Sequence, residues 1–183
     1  MSIWKALGVE QLEQKGRPGS VSSETETVRK IVSALNQWEP ERARFIAAFA
    51  YLLSRVAHAD QNISEDEART MERIIMERGS LPEEQAILVV QMAKTQNLLF
   101  SGTENFLVSR EFEKIASREQ KLALLDCLYA VSSADKSIST IEDNEIRKIS
   151  QELKLSHRDY IEVRLAYRDC LAVLQKPSSP QTP

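Results

Sequence analysis

The chain has 183 residues, with 27 acidic and 24 basic side chains, a formal net charge of −3, five Gly and six Pro. That length suits one domain around a single core, and 42% hydrophobic with 28% charged residues excludes a chain disordered throughout. The near-neutral balance lacks the clustered basic face of a nucleic-acid binder, so no nucleic acid is expected as partner. No apolar run approaches ~18 residues, so no transmembrane segment is expected.

The start, Met1-Ser2-Ile3-Trp4-Lys5-Ala6-Leu7-Gly8, lacks the long apolar stretch of a secretion signal. Cys127 and Cys170 each sit inside an apolar helical pattern, the usual setting of reduced, unpaired thiols in a cytoplasmic protein. Gly8, Gly16 and Gly19 fall at the start, and Pro177, Pro180 and Pro183 at the end. Between Pro40 and Lys176 only Gly79, Pro82 and Gly102 interrupt the chain. A sheet fold needs many turns, and turns draw on Gly, Pro, Asn and Asp. The expected class is all-α, a bundle of about seven to nine helices.

Residues 1 to about 14 read as a short helix with Ile3, Trp4, Leu7 and Leu12 on one side. Such a segment can make weak peripheral contact with a membrane or dock on the bundle. Residues 15–24, rich in Gly, Ser and Pro, read as a flexible linker, which gives an N-terminal region of 1–24. A helical domain is then expected over 25–175, followed by a polar, Pro-rich tail over 176–183 that should be disordered.

Within the domain, Val28, Ile31, Val32 and Leu35 form one apolar stripe, and Phe45, Phe49, Leu52, Leu53 and Val56 a longer one after Pro40. Met71, Ile74 and Ile75 mark the next helix, which starts at Ser64 and which Gly79 closes. Pro82 opens another with Ile87, Val90, Met92 and Ala93. A less regular stretch, about 101–116, carries Phe106, Leu107 and Phe112. Three further helices start near Ser117, Ser139 and Ser156.

The last three helices repeat the earlier three. An offset of 75 residues pairs Asp60 with Asp135, Leu53 with Leu128, Val56 with Val131, Ser64 with Ser139 and Glu67 with Glu142. One register slip later, Leu81-Pro82-Glu83 stands beside Leu155-Ser156-His157. Amphipathic helices alone would match apolar positions, not Ala-Asp-x-x-Ile-Ser-x-x-Glu across a loop. The domain therefore reads as two similar three-helix units, about 42–95 and 117–174.

Much of the repeated element is explained by helix capping. Ser64 with Glu67, and Ser139 with Glu142, fit the capping box, and Ile63 and Ile138 stand where a hydrophobic staple would pack. Capping leaves the Asp unexplained, because Asp60 and Asp135 follow a helix whose C-terminal end disfavours a carboxylate. Either the Asp accepts loop N–H groups in an Asx-turn, or a hard divalent cation such as calcium or magnesium bridges it. The candidate metal ligands are Asp60, Asn62 and Glu67 in the first unit and Asp135 and Glu142 in the second.

Asp60-x-Asn62-x-Ser64 is similar to the first half of an EF-hand loop. Positions six and twelve, which need Gly and Glu, are Glu65 and Met71, or Thr140 and Ile146 in the second unit. A sensor-grade calcium loop is not expected on that count. His58 stands alone on its helix and His157 should face water. With no phosphate loop, Cys-x-x-Cys or His-Glu-x-x-His, the chain offers no catalytic constellation, and a non-enzymatic role is expected. The runs Glu65-Asp66-Glu67, Arg69, Glu142-Asp143 and Arg147-Lys148 read as solvated helix faces.

The doubled helix–Ala-Asp-x-x-Ile-Ser-x-x-Glu–helix pattern resembles the TerB family of tellurite-resistance-associated proteins, over roughly Arg42 to Ala172. The TerB-like amino-terminal domain of DjlA co-chaperones belongs to the same group. The second unit is especially similar, through Ala134-Asp135-Lys136-Ser137-Ile138-Ser139 and Leu155-Ser156-His157-Arg158-Asp159-Tyr160. The resemblance implies an all-helical fold of two similar units, a place in bacterial stress-response systems near the inner membrane, and protein partners in such an assembly. It also implies that Asp60, Glu67, Asp135 and Glu142 match the family's acidic positions, for which metal binding has been suggested. Family members often carry Gly after the Asp, where this chain has Gln61 and Lys136. The competing classes are a metal-dependent hydrolase, whose two Asp loops would have to converge on one di-metal site, and a co-chaperone-type accessory domain.

Overall fold

The computed structural model describes residues 30–57 (Val32 excepted), 65–95 and 105–174. The fold is all-α. Seven α-helices run through the described residues: α1 (Pro40–Ala57), α2 (Glu65–Gly79), α3 (Glu83–Lys94), α4 (Asn105–Ile115), α5 (Arg118–Ser132), α6 (Thr140–Glu152) and α7 (His157–Ala166). Two short 3₁₀ turns, Arg168–Cys170 and Ala172–Leu174, complete them. Residues 33–35 are also helical, and Ile31 and Leu35 are buried.

The helix starts follow from the serines. Ser117, Ser139 and Ser156 each accept the backbone N–H three residues on, and in each case the Gln120, Glu142 or Asp159 side chain accepts the serine N–H in return. These are three reciprocal capping boxes. Only the second, Ser139 with Glu142, is the expected one; Ser117 with Gln120 and Ser156 with Asp159 carry the same signal, a serine followed three residues on by Gln or an acid.

The spacing of the helices restates the duplication. Helices α2 and α6 start at Glu65 and Thr140, 75 residues apart, and α3 and α7 start at Glu83 and His157, 74 apart. The one-residue slip falls between these starts, and just after it the matched Ser80 (φ 53°) and Lys154 (φ 56°), also 74 apart, take the same left-handed turn. The units interlock rather than stand apart. Helix α2 packs on α5 and α6 packs on α1, so each unit's second helix lies on the other unit's first. The central pair α1 and α5 touch each other, and α4 joins the units while packing on α1 and α6.

That position explains α1, which is buried on nearly every side, from Ala43 through Phe45–Ser54 to Val56. Phe45 and Phe49 of α1 meet Phe112 of α4, with ring centroids 5.1 and 6.3 Å from the Phe112 ring. A helix surrounded by others cannot show a single apolar stripe. The expected stripe at Phe45, Phe49, Leu52, Leu53 and Val56 is buried but understates the face. Helix α3 is similar: Val90, Met92 and Ala93 are buried as expected, Ile87 only half so, and Leu88 and Val89 join them because α3 packs on both α1 and α2.

In α4, Leu107 is exposed while Val108 and Phe112 turn inward. Gly79 closes α2 as expected, and Ser80 just beyond it takes the left-handed conformation. Gly79 is needed for close approach, because a Cβ there would lie 3.2 Å from both Cys127 Sγ and Phe49 Cζ, where α2 meets α5 and α1. Val28, Val32 and Phe106 lie outside the described side chains, as do the regions 1–24 and 176–183.

Both cysteines are free thiols, Cys127 buried and Cys170 half-buried. Burial pushes the Cys127 thiol up to about 12, with Asp126 adding to the effect. The thiolate is the reactive form, so native protein should leave Cys127 unmodified by a thiol reagent at pH 8, and denaturant should expose it. Counting modified thiols by mass spectrometry checks this, and rapid native labelling of Cys127 would contradict the packing.

Candidate functional site

The second acidic loop is described in full. Helix α5 ends at Ser132; its C-cap Ser133 donates its N–H to the Tyr129 carbonyl, and the Lys136 N–H closes the turn on the Ser133 carbonyl at 2.8 Å. The exposed Asp135 carboxylate accepts the Ser137 N–H at 2.9 Å. This is the Asx-turn, and it answers why an acid stands at a helix C-terminal end: its charge is satisfied by the loop's own donor.

Ile138 is buried, but not as a hydrophobic staple, since the staple position one turn into α6 is Asp143. Its partner is Leu171. The Ile138 N–H donates to the Cys170 carbonyl at 2.7 Å and the Ala172 N–H to the Ile138 carbonyl at 3.0 Å, a parallel bridge between two chain segments. Glu142 accepts the Ser139 N–H at 2.8 Å. Both acids of this loop are therefore engaged by backbone donors.

Lys136, beside Asp135, has φ 68°, a conformation costing an L-residue roughly 1 kcal/mol or more and Gly almost nothing. Replacing Lys136 by Gly should raise stability by about 0.5 kcal/mol, the strain relieved being offset by greater freedom of the unfolded chain. Thermal melts of the two proteins test this. A clear fall in Tm would mean that the lysine's contacts outweigh its strain.

In the first unit, Asp60 and Asn62 lie outside the described residues, as do His58 and Ser64. Glu67 is exposed in the first turn of α2. Among the described residues, no group of three or more His, Cys, Asp and Glu side chains is placed to hold a metal ion. His157 is exposed, as expected, with its ring 6.2 Å from that of Tyr160.

The most constrained charges are elsewhere, and composition gave no sign of them. Asp143, read as part of a solvated face, is turned inward. It takes a two-pronged ion pair from Arg164 at 2.7–3.2 Å, a hydrogen bond from the Tyr129 hydroxyl at 2.9 Å and a longer one from Tyr160 at 3.5 Å. Burial alone would raise its carboxyl, but the Arg164 and Tyr129 bonds outweigh burial and hold it below the ordinary carboxylate range. Burial pushes the Tyr129 hydroxyl far up, and its acceptors add to that. The Tyr129 ring stacks on Tyr167 at 5.5 Å, and the Tyr167 hydroxyl donates to Asp126 at 2.7 Å.

A second network joins the units. Arg55 of α1, only 3% exposed in its side chain, holds Glu145 and Glu152 of α6, each at 2.6 Å. It also donates to the Ser109 hydroxyl of α4 at 3.0 Å, and Ser109 donates to Glu152 at 2.5 Å. Glu145 and Glu152 are seven residues apart, two helical turns on one face. A third pair, Arg118 with Asp159, ties the start of α5 to the start of α7. The sequence carried one hint of all this: Arg55 interrupts an apolar helix, and a charge in such a place needs a buried partner. Which partner it takes is not readable, because the carboxylates stand 90 and 97 residues away.

These networks tie α1, α4 and α6 together through Arg55, α5, α6 and α7 through Asp143, and α5 to α7 through Arg118. The decisive comparison concerns the whole helical array. The family model described as Tellurite resistance protein TerB matches residues 45–165, from within α1 to the last turn of α7.

The chain belongs to the TerB family.

The match spans both three-helix units and both Asp loops, about two thirds of the chain. No curated protein and no solved structure matches it. In TerB terms, Lys136 occupies the position where the resemblance expects Gly, and its left-handed backbone gives the physical reason Gly suits that place. No described helix is long and apolar enough to cross a membrane.

Proposed function

We propose that this TerB-family chain is a non-catalytic interaction module of a stress-response assembly in the cytoplasm or at the inner membrane. Its two interhelical Asp loops are its recognition points. The observation that carries the reading is the Asp135 loop: an exposed carboxylate held in one conformation by an Asx-turn, a closed turn at Lys136 and a capping box. A preformed, exposed loop on a rigid bundle suits binding, since little ordering cost remains to be met.

Divalent cation binding belongs, in this reading, to the first loop, through Asp60, Asn62 and Glu67. In the second loop Asp135 already has its donor, Glu142 serves the Ser139 N–H, and Lys136 brings a positive charge alongside. Calcium or magnesium fits an all-oxygen set of this kind better than zinc. Calorimetric titration of the full chain with calcium, magnesium, manganese and zinc tests this. Heat with a hard cation, lost in Asp60→Asn and kept in Asp135→Asn, is expected. No heat with any ion removes the cation, and metal-stimulated hydrolysis of a generic phosphoester or peptide substrate would restore the enzyme reading.

A further inference from the structure

The chain beyond α7 meets the second loop at Ile138. Four consecutive amides are satisfied there: Lys136 N–H by the Ser133 carbonyl, Ser137 N–H by Asp135, Ile138 N–H by the Cys170 carbonyl and Ser139 N–H by Glu142. Three of these partners belong to the loop and its flanking helix ends. The Ile138 partner comes from elsewhere, a strap of residues 168–174. The strap also gives its Ala172 N–H to the Ile138 carbonyl, and Leu171 between the two bonds is 1% exposed. Around that buried side chain the strap is open to solvent: Arg168, Asp169 and Ala172 are exposed, and so are Val173 and Leu174, at 63% and 61%. Other backbone bonds close turns within it, Leu171 N–H on the Arg168 carbonyl and Leu174 N–H on the Leu171 carbonyl.

One anchor side chain, two backbone bonds to one residue and a parallel course are how an extended peptide adds to an exposed backbone edge. We propose that the strap is an autoinhibitory latch: it occupies a peptide-docking site at Ile138, which an extended segment of a partner protein, with a leucine or isoleucine at the bridge, takes over. The strap itself displays the chemistry this occupant needs. With the strap lifted, Ile138 has a bare N–H and a bare carbonyl beside an apolar seat, and both polar groups demand partners. A parallel segment restores all three contacts. A charged residue at the bridge fails, because Leu171 and Ile138 both pack in the hydrophobic core. Release need not unseat α7. Tyr167, at its C-cap, is held separately by its stack on Tyr129 and its bond to Asp126. The opening therefore starts at Arg168 and breaks few buried contacts, a local event far less costly than unfolding. The groups involved are the Ile138 backbone and the Leu171 seat, so the inference goes beyond the reading of the Asp loops and stands apart from it.

The probe is a fluorescein-labelled peptide with the sequence of residues 168–174, carrying Cys170→Ser, added to the full chain. Two variants lift the latch. Leu171→Asp ejects the anchor. Ala172→Pro removes the N–H that the Ile138 carbonyl accepts, and the extended backbone of Leu171 (φ −70°, ψ 114°) already suits a residue before proline. Fluorescence anisotropy should show the peptide on both variants, with affinity for the unaltered chain lower by roughly tenfold or more, since its site is filled. In NMR the Ile138 amide should shift on binding, and a peptide with Leu171→Asp should not bind. Circular dichroism should keep its helical signal in both variants. No peptide bound by either variant overturns the proposal, and so does equal affinity for the unaltered chain or binding that leaves the Ile138 amide in place. Loss of helical signal in both variants makes the strap part of the core and overturns it as well. A dimer of the unaltered chain in sedimentation, abolished by Leu171→Asp, assigns the site to a second copy and also overturns it.

Discussion

Replacing Arg55 by Ala should destabilise the protein by about 3 kcal/mol, a fall in Tm on the order of 6–12 °C for a domain of this size. The reason is what remains. Glu145 and Glu152 keep their places on α6, two like charges on one face with side chains 26% and 15% exposed, and the guanidinium that neutralised both is gone. Ser109 keeps its bond to Glu152 but supplies no charge. Partial exposure of the two glutamates places the effect at the lower end of the range for broken buried pairs. The triple change Arg55→Met, Glu145→Gln and Glu152→Gln should recover most of the loss, since removing every charge costs less than orphaning two. Denaturant melts of the single and triple variants test this. Equal destabilisation of both would mean that shape at the junction, not charge, matters.

Asp143→Ala should cost about 2–4 kcal/mol, because it strips the buried Tyr129 hydroxyl and the half-buried Arg164 of their common acceptor. Asp143→Asn should cost less at neutral pH, as an amide oxygen still accepts from Tyr129. The pH dependence carries the sign. Folding lowers the Asp143 carboxyl, so the native state binds its proton less readily than the unfolded chain. Its stabilisation is complete above the unfolded value of about 4 and is lost as pH falls through the lower folded value. Glu152 behaves likewise: burial would raise it, but bonds from Arg55 and Ser109 outweigh that and hold it low. The difference in stability between the unaltered chain and Asp143→Asn should be constant from pH 7 to about 5 and shrink on further acidification. A difference that grows with acid would contradict the ion pair.

What could be read from the sequence was local or periodic. Capping boxes reside within four residues, and Ser117 and Ser139 mark their helices because the partner lies three positions away. The duplication was legible since one offset carries both apolar and polar matches. The Asx-turn was one of two readings of an acid at a helix end, and the hydrogen bond from the Ser137 N–H bears it out at Asp135. The buried ion networks were not legible, because charge pairing joins residues that only the tertiary fold brings near. Asp143 looks like any acid in an acidic helix until Arg164 arrives from the next one. Gly79 shows a subtler limit: the residue was rightly singled out, but its reason lies in Cys127 and Phe49 on other helices, not in its own backbone. Of the candidate ligands, Asp135, Glu142 and Glu67 are placed, while Asp60 and Asn62 lie outside the described residues.

The claim at the centre of this account is a division of labour between two loops of common origin. In the second, around Asp135, the carboxylates already take the loop's own backbone N–H groups; we propose that the first, around Asp60, holds the cation. Site-resolved NMR with substoichiometric manganese measures this directly, since the paramagnetic ion broadens amide signals near where it sits. Selective broadening of residues 60–67, with residues 135–142 left sharp, is the predicted result. Broadening centred on Asp135 and Glu142, or none at either loop, would contradict it.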